Sequence, residues 1–443
     1  MSSNTGPLNN FSFFESLFRR VRNSEFARHV STLATGTLLA QIIGLLAGPI
    51  VTRLYAPENY AVLALFTAII STIAPAASGC YGMAVVIAKD EEDGNGLLVL
   101  ALWLAGVVSL LILLVFTLGH RHLKQLLGAD SLGIWWFFIP VVLFLTAAVS
   151  AFRYYANRHK HYALISKVLV AQALFGATIS ISLGVGGFQT DGLLISSLLG
   201  AVFGTVLLLY FYHKEFSLLE WRPSSKMWDL SKKYKQFPIY GASTSFLDGI
   251  TSALPVLMLT KFFPPAIVGQ FALGLRVFSA PLSFISSSVS QVHLRKVAEL
   301  THFDASSLLG YTLKLSLLLL MIAGIPSLLL YFFIPSLFAF VFGTAWRHAG
   351  EILSILLPSL VIKFVASSVS GVFSATGHLK LVAIWKVVAL LVTFIGLFWA
   401  TNNGDASLFF YTLLIIDLLL YVILFVCIMY AVTRVRQANH GVL

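Results

Sequence analysis

Four ionisable side chains lie inside long apolar runs of the sequence: Asp248, Arg276, Lys363 and Asp417. A charge at the centre of a bilayer costs at least ~2.5 kcal/mol on insertion scales, so such residues usually face a polar interior. A guanidinium holds phosphate through paired hydrogen bonds and an ammonium acts as a point charge, so Arg276 and Lys363 predict an anionic ligand. Asp248 and Asp417 would then adjust those charges or carry a coupling proton.

The same four residues also fit two internal ion pairs, Asp248 with Arg276 and Asp417 with Lys363. Buried pairs often balance their cost against their gain and serve packing specificity instead. The sequence leaves both interpretations open. Three further residues complete the candidate binding set, namely Gln41, Arg53 and Arg153. Gln41 also fits an interhelical hydrogen bond, and Arg53 an anchor at the membrane interface.

The composition shows which elements must position these side chains. Of 443 residues, 58% are hydrophobic and only 11% are charged, far from the ~25% charged residues of ordinary globular proteins. Apolar stretches long enough to cross a hydrocarbon core about 30 Å thick recur along the chain. We therefore predict an all-α integral membrane protein with about twelve transmembrane helices. The predicted spans are 30–52, 62–88, 97–119, 133–152, 162–184, 192–212, 238–260, 267–291, 308–331, 351–372, 381–400 and 407–431. Residues 332–349 are left outside a span.

The distribution of positive charge predicts the orientation in the membrane. Most of the 29 Lys and Arg residues fall on the side that carries both termini, which places that side in the cytoplasm. The pI near 9.6 is thereby explained without a nucleic-acid partner. Cys80 and Cys427 lie within apolar spans and indicate neither a disulfide framework nor a thiol-metal site.

An internal duplication divides the predicted helices into two six-helix bundles. The segments 52–65 and 260–273 align at a fixed offset, each closing one helix and opening the next around a proline. The matched pairs include Thr52 with Thr260, Pro57 with Pro265, Ala64 with Ala272 and Leu65 with Leu273. The predicted domains are a cytoplasmic amphipathic segment (1–29, with a disordered tail as the alternative), an N-terminal bundle (30–212), a basic cytoplasmic linker (213–237), a C-terminal bundle (238–431) and a cytoplasmic tail (432–443).

Motifs for soluble chemistry are missing from the sequence. It contains neither the G-x-x-x-x-G-K-[ST] phosphate loop nor the H-E-x-x-H metal motif. The soluble pieces are short, which argues against a multispanning polymerase or glycosyltransferase. We therefore expect no enzymatic activity, no cofactor and no metal. Two bundles of parallel orientation suit a transporter that rocks one bundle against the other around a site at their interface.

Three short segments resemble one known family. "PIVTRLYAPENYAVLALF" (49–66) resembles the first outer turn of polysaccharide flippases of the MOP superfamily, and "FGTAWRHAG" (342–350) is similar to their F-G-x-x-W-x-x-A-G segment. "AKDEED" (88–93) resembles their inner loop after the second helix. The sequence departs from the family at Ala61, where glycine is frequent.

This resemblance implies a V-shaped pair of bundles that flips a polyprenyl-diphosphate-linked oligosaccharide, of the O-antigen type used in lipopolysaccharide synthesis, to the outer leaflet. Arg276 and Lys363 occupy helices where cationic cavity residues would be expected. The implied partners are the lipid-linked oligosaccharide, membrane lipids and other polysaccharide assembly proteins, in a bacterial inner membrane. The alternative is a cation-coupled exporter of small amphipathic or drug-like molecules, with Asp248 and Asp417 as its principal site.

Overall fold

The computed structural model describes residues 25–213, 225–303 and 307–440, and the regular elements in these ranges are all helical. Most of the predicted amphipathic segment 1–29, part of the predicted linker and the last three residues lie outside the described ranges. The helices of the first half, which we call the N-half, are α1 (Glu25–Leu54), α2 (Pro57–Ala77), α3 (Tyr81–Ile87), α4 (Glu91–Leu118), α5 (His120–Leu127), α6 (Ile139–Arg158), α7 (Tyr162–Val185) and α8 (Gln189–Phe211). A 3₁₀ segment, Asp130–Phe138, leads into α6.

A short helix, α9 (Ser225–Lys233), precedes the second half. The helices of that half, the C-half, are α10 (Ser243–Phe262), α11 (Pro265–Phe303), α12 (Leu308–Leu330), α13 (Ile334–Phe342), α14 (Arg347–Val369), α15 (Val372–Ala375), α16 (Leu379–Asn403) and α17 (Ala406–His440). A π-helical segment, Phe237–Ala242, leads into α10, and a 3₁₀ turn, Thr344–Trp346, joins α13 to α14.

Twelve of these helices are long and apolar enough to cross a membrane, which confirms the predicted fold class. Residues 332–343 lie outside the spans, where α13 forms a short separate helix. Twelve alternating crossings bring the start of α1 and the end of α17 to the same side. We call this side the terminal face and the other side the opposite face.

The second predicted span, 62–88, is wrong as a single helix. The chain ends α2 at Ala77, passes through two residues of left-handed backbone and begins α3 at Tyr81. Gly79 has φ of 60° and Cys80 has φ of 55°. Glycine adopts this conformation without steric cost, whereas a side chain rarely does, so the turn depends on Gly79. The sequence did not indicate this break because the residues around it are buried, so the apolar run continues across it.

The two duplicated segments adopt the same local turn. Only Tyr55 and Ala56 separate α1 from α2, and only Phe263 and Pro264 separate α10 from α11. In both cases the second helix begins at a proline, whose fixed φ suits the first helical position and whose missing N–H is not needed there.

Buried apolar clusters show where the halves are joined. One cluster lies within the N-half near the terminal face and includes Tyr81, Leu98 and Tyr155, while another lies within the C-half near the same face. The largest cluster contains residues of both halves, among them Tyr60 and Phe271. It lies toward the opposite face, so the halves are packed most closely there.

The basic segment between the halves is attached to the N-half. Leu230 of α9 is buried in an N-half cluster, and the Tyr81 hydroxyl donates a hydrogen bond to the Ser231 carbonyl oxygen at 3.3 Å. Lys233 Nζ lies 2.6 Å from Asp93 Oδ2, and this hydrogen bond raises the pKa of Lys233. The outward surfaces of the spanning helices carry large apolar side chains, as contact with lipid requires.

Candidate functional site

A closed contact between the halves lies at the opposite face. The Trp346 indole N–H donates to the Thr52 carbonyl oxygen at 2.9 Å, and the Thr52 hydroxyl donates to the Phe342 carbonyl oxygen at 3.0 Å. Both bonds are buried. The Tyr60 ring packs edge-on against Trp346 with centroids 4.8 Å apart. We call this set of contacts the outer latch. Its residues come from 52–60 and 342–346, two of the segments that carried the family resemblance.

Helix α2 lies directly against α10 and α11 without intervening side chains at two glycines. A Cβ atom at Gly269 of α11 would overlap the Pro57 carbonyl oxygen, and one at Gly249 of α10 would come within 2.7 Å of the Thr72 Cα atom. Close backbone approach of this kind is the usual role of small residues between membrane helices. Cys80 Sγ and Ser245 Oγ, 3.7 Å apart, extend the α2–α10 contact toward the terminal face.

On the α1 and α11 side, the halves separate toward the terminal face. Gly44 of α1 has open space where a Cβ would lie. On α11, exposed polar side chains follow the same helical face over four turns, at Arg276, Ser283, Ser287 and Gln291. Polar groups in a spanning helix usually face a bundle interior or water rather than lipid. This face of α11 therefore lines a water-accessible cleft, which we call the central cleft.

Arg276 lies at the closed end of the central cleft. It is exposed and is placed two turns after Gly269, on the same face of α11 that contacts α2. The Tyr60 hydroxyl is within electrostatic range of its guanidinium. Across the cleft, α2 presents exposed Thr67 and Ser71. Arg276 is thus an exposed cation near the point where the halves meet.

Gln41 and Arg53 lie at different depths of α1. Gln41 shares a helical face with Gly48 and Thr52, both of which approach Phe342 of the C-half. Gln41 is about two to three turns closer to the terminal face, so this helical register directs it toward the central cleft. Arg53 lies at the opposite face, where its guanidinium donates to the Phe340 carbonyl oxygen at 3.4 Å. It therefore belongs with the outer latch.

A cavity of about 390 Å³ lies inside the C-half, between α10, α11, α14, α16 and α17. Its charged lining residues are Asp248, Lys363, Lys386 and Asp417. We call it the C-half cavity. Leu275 and Ser279, which flank Arg276 along α11, also line it, so it adjoins the closed end of the central cleft.

The pairing predicted between Asp248 and Arg276 is wrong. Asp248 accepts a hydrogen bond of 2.6 Å from Lys386 instead, and the geometry is that of an ion pair. Arg276 makes no ion pair within the ranges that the structure describes. Lys363 lies 5.3 Å from the centre of the Tyr421 ring, and Asp417 is within electrostatic range of it. The second pair, Asp417 with Lys363, stays a prediction that this placement permits.

Arg153 lies in a different place, a cavity of about 300 Å³ in the N-half near the terminal face. Leu33 of α1 and Ile165 of α7 also line this cavity. Ser150, Arg153 and Asn157 follow one face of α6 at helical spacing and form its polar wall. Of the seven candidates, the structure thus brings Asp248, Lys363 and Asp417 into one cavity, places Arg276 and Gln41 along the central cleft, and leaves Arg53 and Arg153 at separate positions.

Lys386 is the charged residue that sequence reasoning missed. The distribution of positive charge predicts that Lys386 belongs to the cytoplasmic flank of its helix, whereas α16 begins at Leu379 and places Lys386 two turns inside. Its spacing from Ala389 and Thr393 puts all three on one helical face. That spacing could have shown from the sequence that Lys386 lies on a helical face with Ala389 and Thr393. Within the described ranges, no group of three or more His, Cys, Asp or Glu residues is placed to hold a metal ion.

Solved structures of membrane transporters share this fold. An inward-facing multidrug resistance MATE family transporter of the MOP superfamily is 16% identical, with 91% of this chain and 96% of that chain covered and a TM-score of 0.65. The lipid II flippase MurJ in an inward closed conformation is 12% identical, with coverage of 91% and 89% and a TM-score of 0.66. A MOP superfamily transporter from Pyrococcus furiosus is 15% identical, with coverage of 92% and 96% and a TM-score of 0.62. The fold is that of the MOP superfamily.

The sequence profile of a family described as polysaccharide biosynthesis protein matches residues 50–351, well over half of the chain. The chain belongs to this family. No curated protein matches the sequence. Family and fold together define a MOP-type membrane flippase or transporter.

Proposed function

We propose that the protein flips a polyprenyl-diphosphate-linked oligosaccharide from the terminal-face leaflet to the opposite leaflet, for surface polysaccharide synthesis. The terminal face is the cytoplasmic face of a bacterial inner membrane in this proposal. The observation that carries it is the central cleft, closed by the outer latch and containing an exposed arginine at its closed end. Membership of a polysaccharide biosynthesis family supports the choice of cargo.

The separation of α1 from α11 suits a lipid with a large polar headgroup. The diphosphate and sugars cannot cross hydrocarbon unaided, whereas the prenyl tail need not leave it. A cleft that opens between two spanning helices lets the headgroup enter while the tail stays in the bilayer. Closing at the terminal face and opening at the opposite face would then release the headgroup on the other side.

The candidate residues take different roles in this proposal. Arg276 binds the diphosphate through paired hydrogen bonds, and Gln41 contributes from the facing helix. Arg153 attracts the anionic headgroup at the entrance on the terminal face, whereas the charge of Lys363 is balanced by the carboxylates that line the C-half cavity with it. Arg53 stabilises the closed latch through its bond to the Phe340 carbonyl oxygen.

The test is flipping in proteoliposomes that contain a fluorescent polyprenyl-diphosphate oligosaccharide. We expect Arg276→Ala to lower the initial rate by about tenfold or more, because a charge-assisted hydrogen bond contributes ~1.5–3 kcal/mol. The matched control is Lys314→Ala, which removes an exposed cation from α12, a helix that packs on α14 and α17 within the C-half. The control should flip at the native rate, and both variants should keep the native melting temperature.

The outcome that contradicts the proposal is native protein that moves no lipid-linked oligosaccharide under an ion gradient or a membrane potential. Equal rates for native protein and Arg276→Ala would remove Arg276 from the site.

One observation favours the second candidate, a cation-coupled exporter of small amphipathic molecules. Asp248 and Asp417 both line the C-half cavity. In that case Asp248→Asn should impair the protein more than Arg276→Ala, and efflux of a cationic dye from inverted vesicles should depend on the cation gradient. The flippase proposal predicts instead that Arg276→Ala impairs the protein more than Asp248→Asn.

A further inference from the structure

The C-half cavity contains hydroxyl groups that the protein itself does not use. Ser252, Ser279 and Thr393 line it, and none of their hydroxyls bonds to another residue in the ranges that the structure describes. Thr393 is only 3% exposed. A hydroxyl that borders a cavity without a protein partner is free to bond to a ligand or to water. Hydroxyls that stay free at the wall of a cavity therefore indicate a polar occupant.

The formal charges of the side chains that line the C-half cavity sum to zero. Asp248 and Asp417 offer acceptors, whereas Lys363 and Lys386 offer donors, two of each sign. A site of this balance gains little from an anion, in contrast to the isolated cation Arg276 in the central cleft. It suits a neutral molecule whose groups both donate and accept hydrogen bonds, as sugar hydroxyls do.

Two aromatic rings form an apolar part of the wall. The rings of Trp385 and Tyr421 lie 5.6 Å apart at 58°, and the Trp385 N–H is already bonded to the Leu420 carbonyl oxygen at 3.0 Å. With its N–H engaged, the indole can offer only its face and edges to the cavity. The electron-rich face of an aromatic ring attracts the polarised C–H groups on one side of a sugar ring.

The size and position of the cavity agree with this chemistry. Its volume of about 390 Å³ falls in the ~300–1,000 Å³ range of small-molecule sites, more than an inorganic ion needs. It begins at Leu275 and Ser279, on either side of Arg276 in α11. A headgroup whose diphosphate lies at Arg276 has its first sugar beside this cavity.

We propose that the C-half cavity is a subsite for an uncharged sugar ring of the transported headgroup, bound by the free hydroxyls, the two lysines, the two aspartates and the Trp385 face. This inference rests on the proposed function and deepens it. The cleft arginine recognises the diphosphate that all such lipids share, and the cavity recognises the sugar that distinguishes them.

The test compares binding of two kinds of lipid to the full chain in nanodiscs. The probes are a short polyprenyl diphosphate without sugar and the same lipid carrying glucose, galactose or N-acetylglucosamine. The variants are Thr393→Val, which removes one free hydroxyl at nearly constant volume, and the matched control Thr401→Val on the same helix, whose partly exposed side chain lies outside the cavity. A parallel arm measures saturation transfer by NMR from the protein to the free methyl glycosides, which need no diphosphate site.

We expect native protein to bind at least one sugar-bearing lipid more tightly than the sugarless lipid. Thr393→Val should weaken binding of that lipid by about fivefold, the effect of one hydrogen bond, and leave the sugarless lipid unchanged. Thr401→Val should match native protein, and Arg276→Ala should weaken all lipids alike.

Equal affinity of native protein for the sugarless lipid and all three sugar-bearing lipids would overturn the sugar subsite while leaving the diphosphate site intact. If no lipid binds, the proposed function fails and the glycoside arm decides the subsite. Saturation transfer that is present in native protein and weaker in Thr393→Val would support the sugar subsite. No transfer in native protein would overturn the sugar subsite.

Discussion

The two members of the Asp248 and Lys386 pair are buried to different extents. The Lys386 side chain is 19% exposed, whereas that of Asp248 is 54% exposed. A charge left without its partner costs more where less water reaches it. The ammonium therefore depends on the carboxylate more than the carboxylate depends on the ammonium.

This asymmetry predicts unequal effects of the two single substitutions. Asp248→Asn leaves Lys386 charged and poorly solvated, and we expect it to lower the unfolding free energy by about 1–2 kcal/mol. Lys386→Met leaves a solvated carboxylate and should cost less than about 1 kcal/mol. The measurement is the melting temperature of each variant in the same detergent. The exchanged pair Asp248→Lys with Lys386→Asp is the control, and equal losses in the two single variants would contradict the interpretation.

The sequence predicted which charged residues lie inside the membrane better than it predicted which of them form pairs. The intramembrane charges Asp248, Lys363 and Asp417 could be recognised because charge in an apolar run is rare. Their grouping could not be predicted, since it depends on which helices are neighbours. Asp248 on α10 meets α16, more than a hundred residues away, rather than Arg276 on the helix that follows it. Nothing local distinguishes these two partners.

At the level of the helices, the outer latch joins the end of α1 to the turn between α13 and α14. Its central bond runs from the Trp346 indole to the Thr52 carbonyl oxygen, and Gly343, with φ of 106°, lets the chain turn sharply between Phe342 and Trp346. The sequence located both segments through their motifs. It did not show that they contact each other, because they lie almost 300 residues apart.

Weakening the latch should open the opposite face. Trp346→Phe retains a ring beside Tyr60 but leaves the buried Thr52 carbonyl oxygen without its donor, a loss of ~1–3 kcal/mol. With Cys80 and Cys427 replaced by serine, a cysteine at Gln41 should react with an impermeant maleimide added at the opposite face at least about fivefold faster than in the native latch.

The control for that experiment is Trp399→Phe, which changes an exposed tryptophan of α16 away from the latch. It should leave the labelling rate unchanged. Unaltered labelling in Trp346→Phe would show that the latch bond does not hold this face closed.

At the scale of the whole molecule, the halves are joined at the opposite face and separate toward the terminal face on the α1 and α11 side. The outer latch and the Gly269 contact join the halves toward the opposite face, while α1 and α11 separate toward the terminal face. Alternating access requires this asymmetry to reverse during transport. The twelve helices and the membrane location could be predicted from composition alone. The state of closure could not, because it depends on contacts between the halves, such as that of Thr52 with Trp346, that join residues far apart in the sequence.

Holding the latch shut should stop transport without stopping binding. In the same serine background, Arg53→Cys and Phe340→Cys place two thiols across the latch, where a short cleavable bismaleimide can join them. We expect flipping to fall to the level of protein-free vesicles and to recover when the cross-link is cleaved. Polyprenyl diphosphate should still bind from the terminal face. Native flipping rates in fully cross-linked protein would contradict alternating access at this face.

The boundaries of the family match lie close to the two ends of the outer latch. The match runs from residue 50 to 351, so it begins beside Thr52 and ends just after Trp346. Lys363, Lys386, Thr393 and Asp417 all lie beyond it. The match therefore contains the whole outer latch, whereas the C-half cavity takes its α10 and α11 walls from inside the match and its α14, α16 and α17 walls from beyond it. Substitutions beyond the match can therefore change three of the five helices that line the cavity and leave every latch residue as it is.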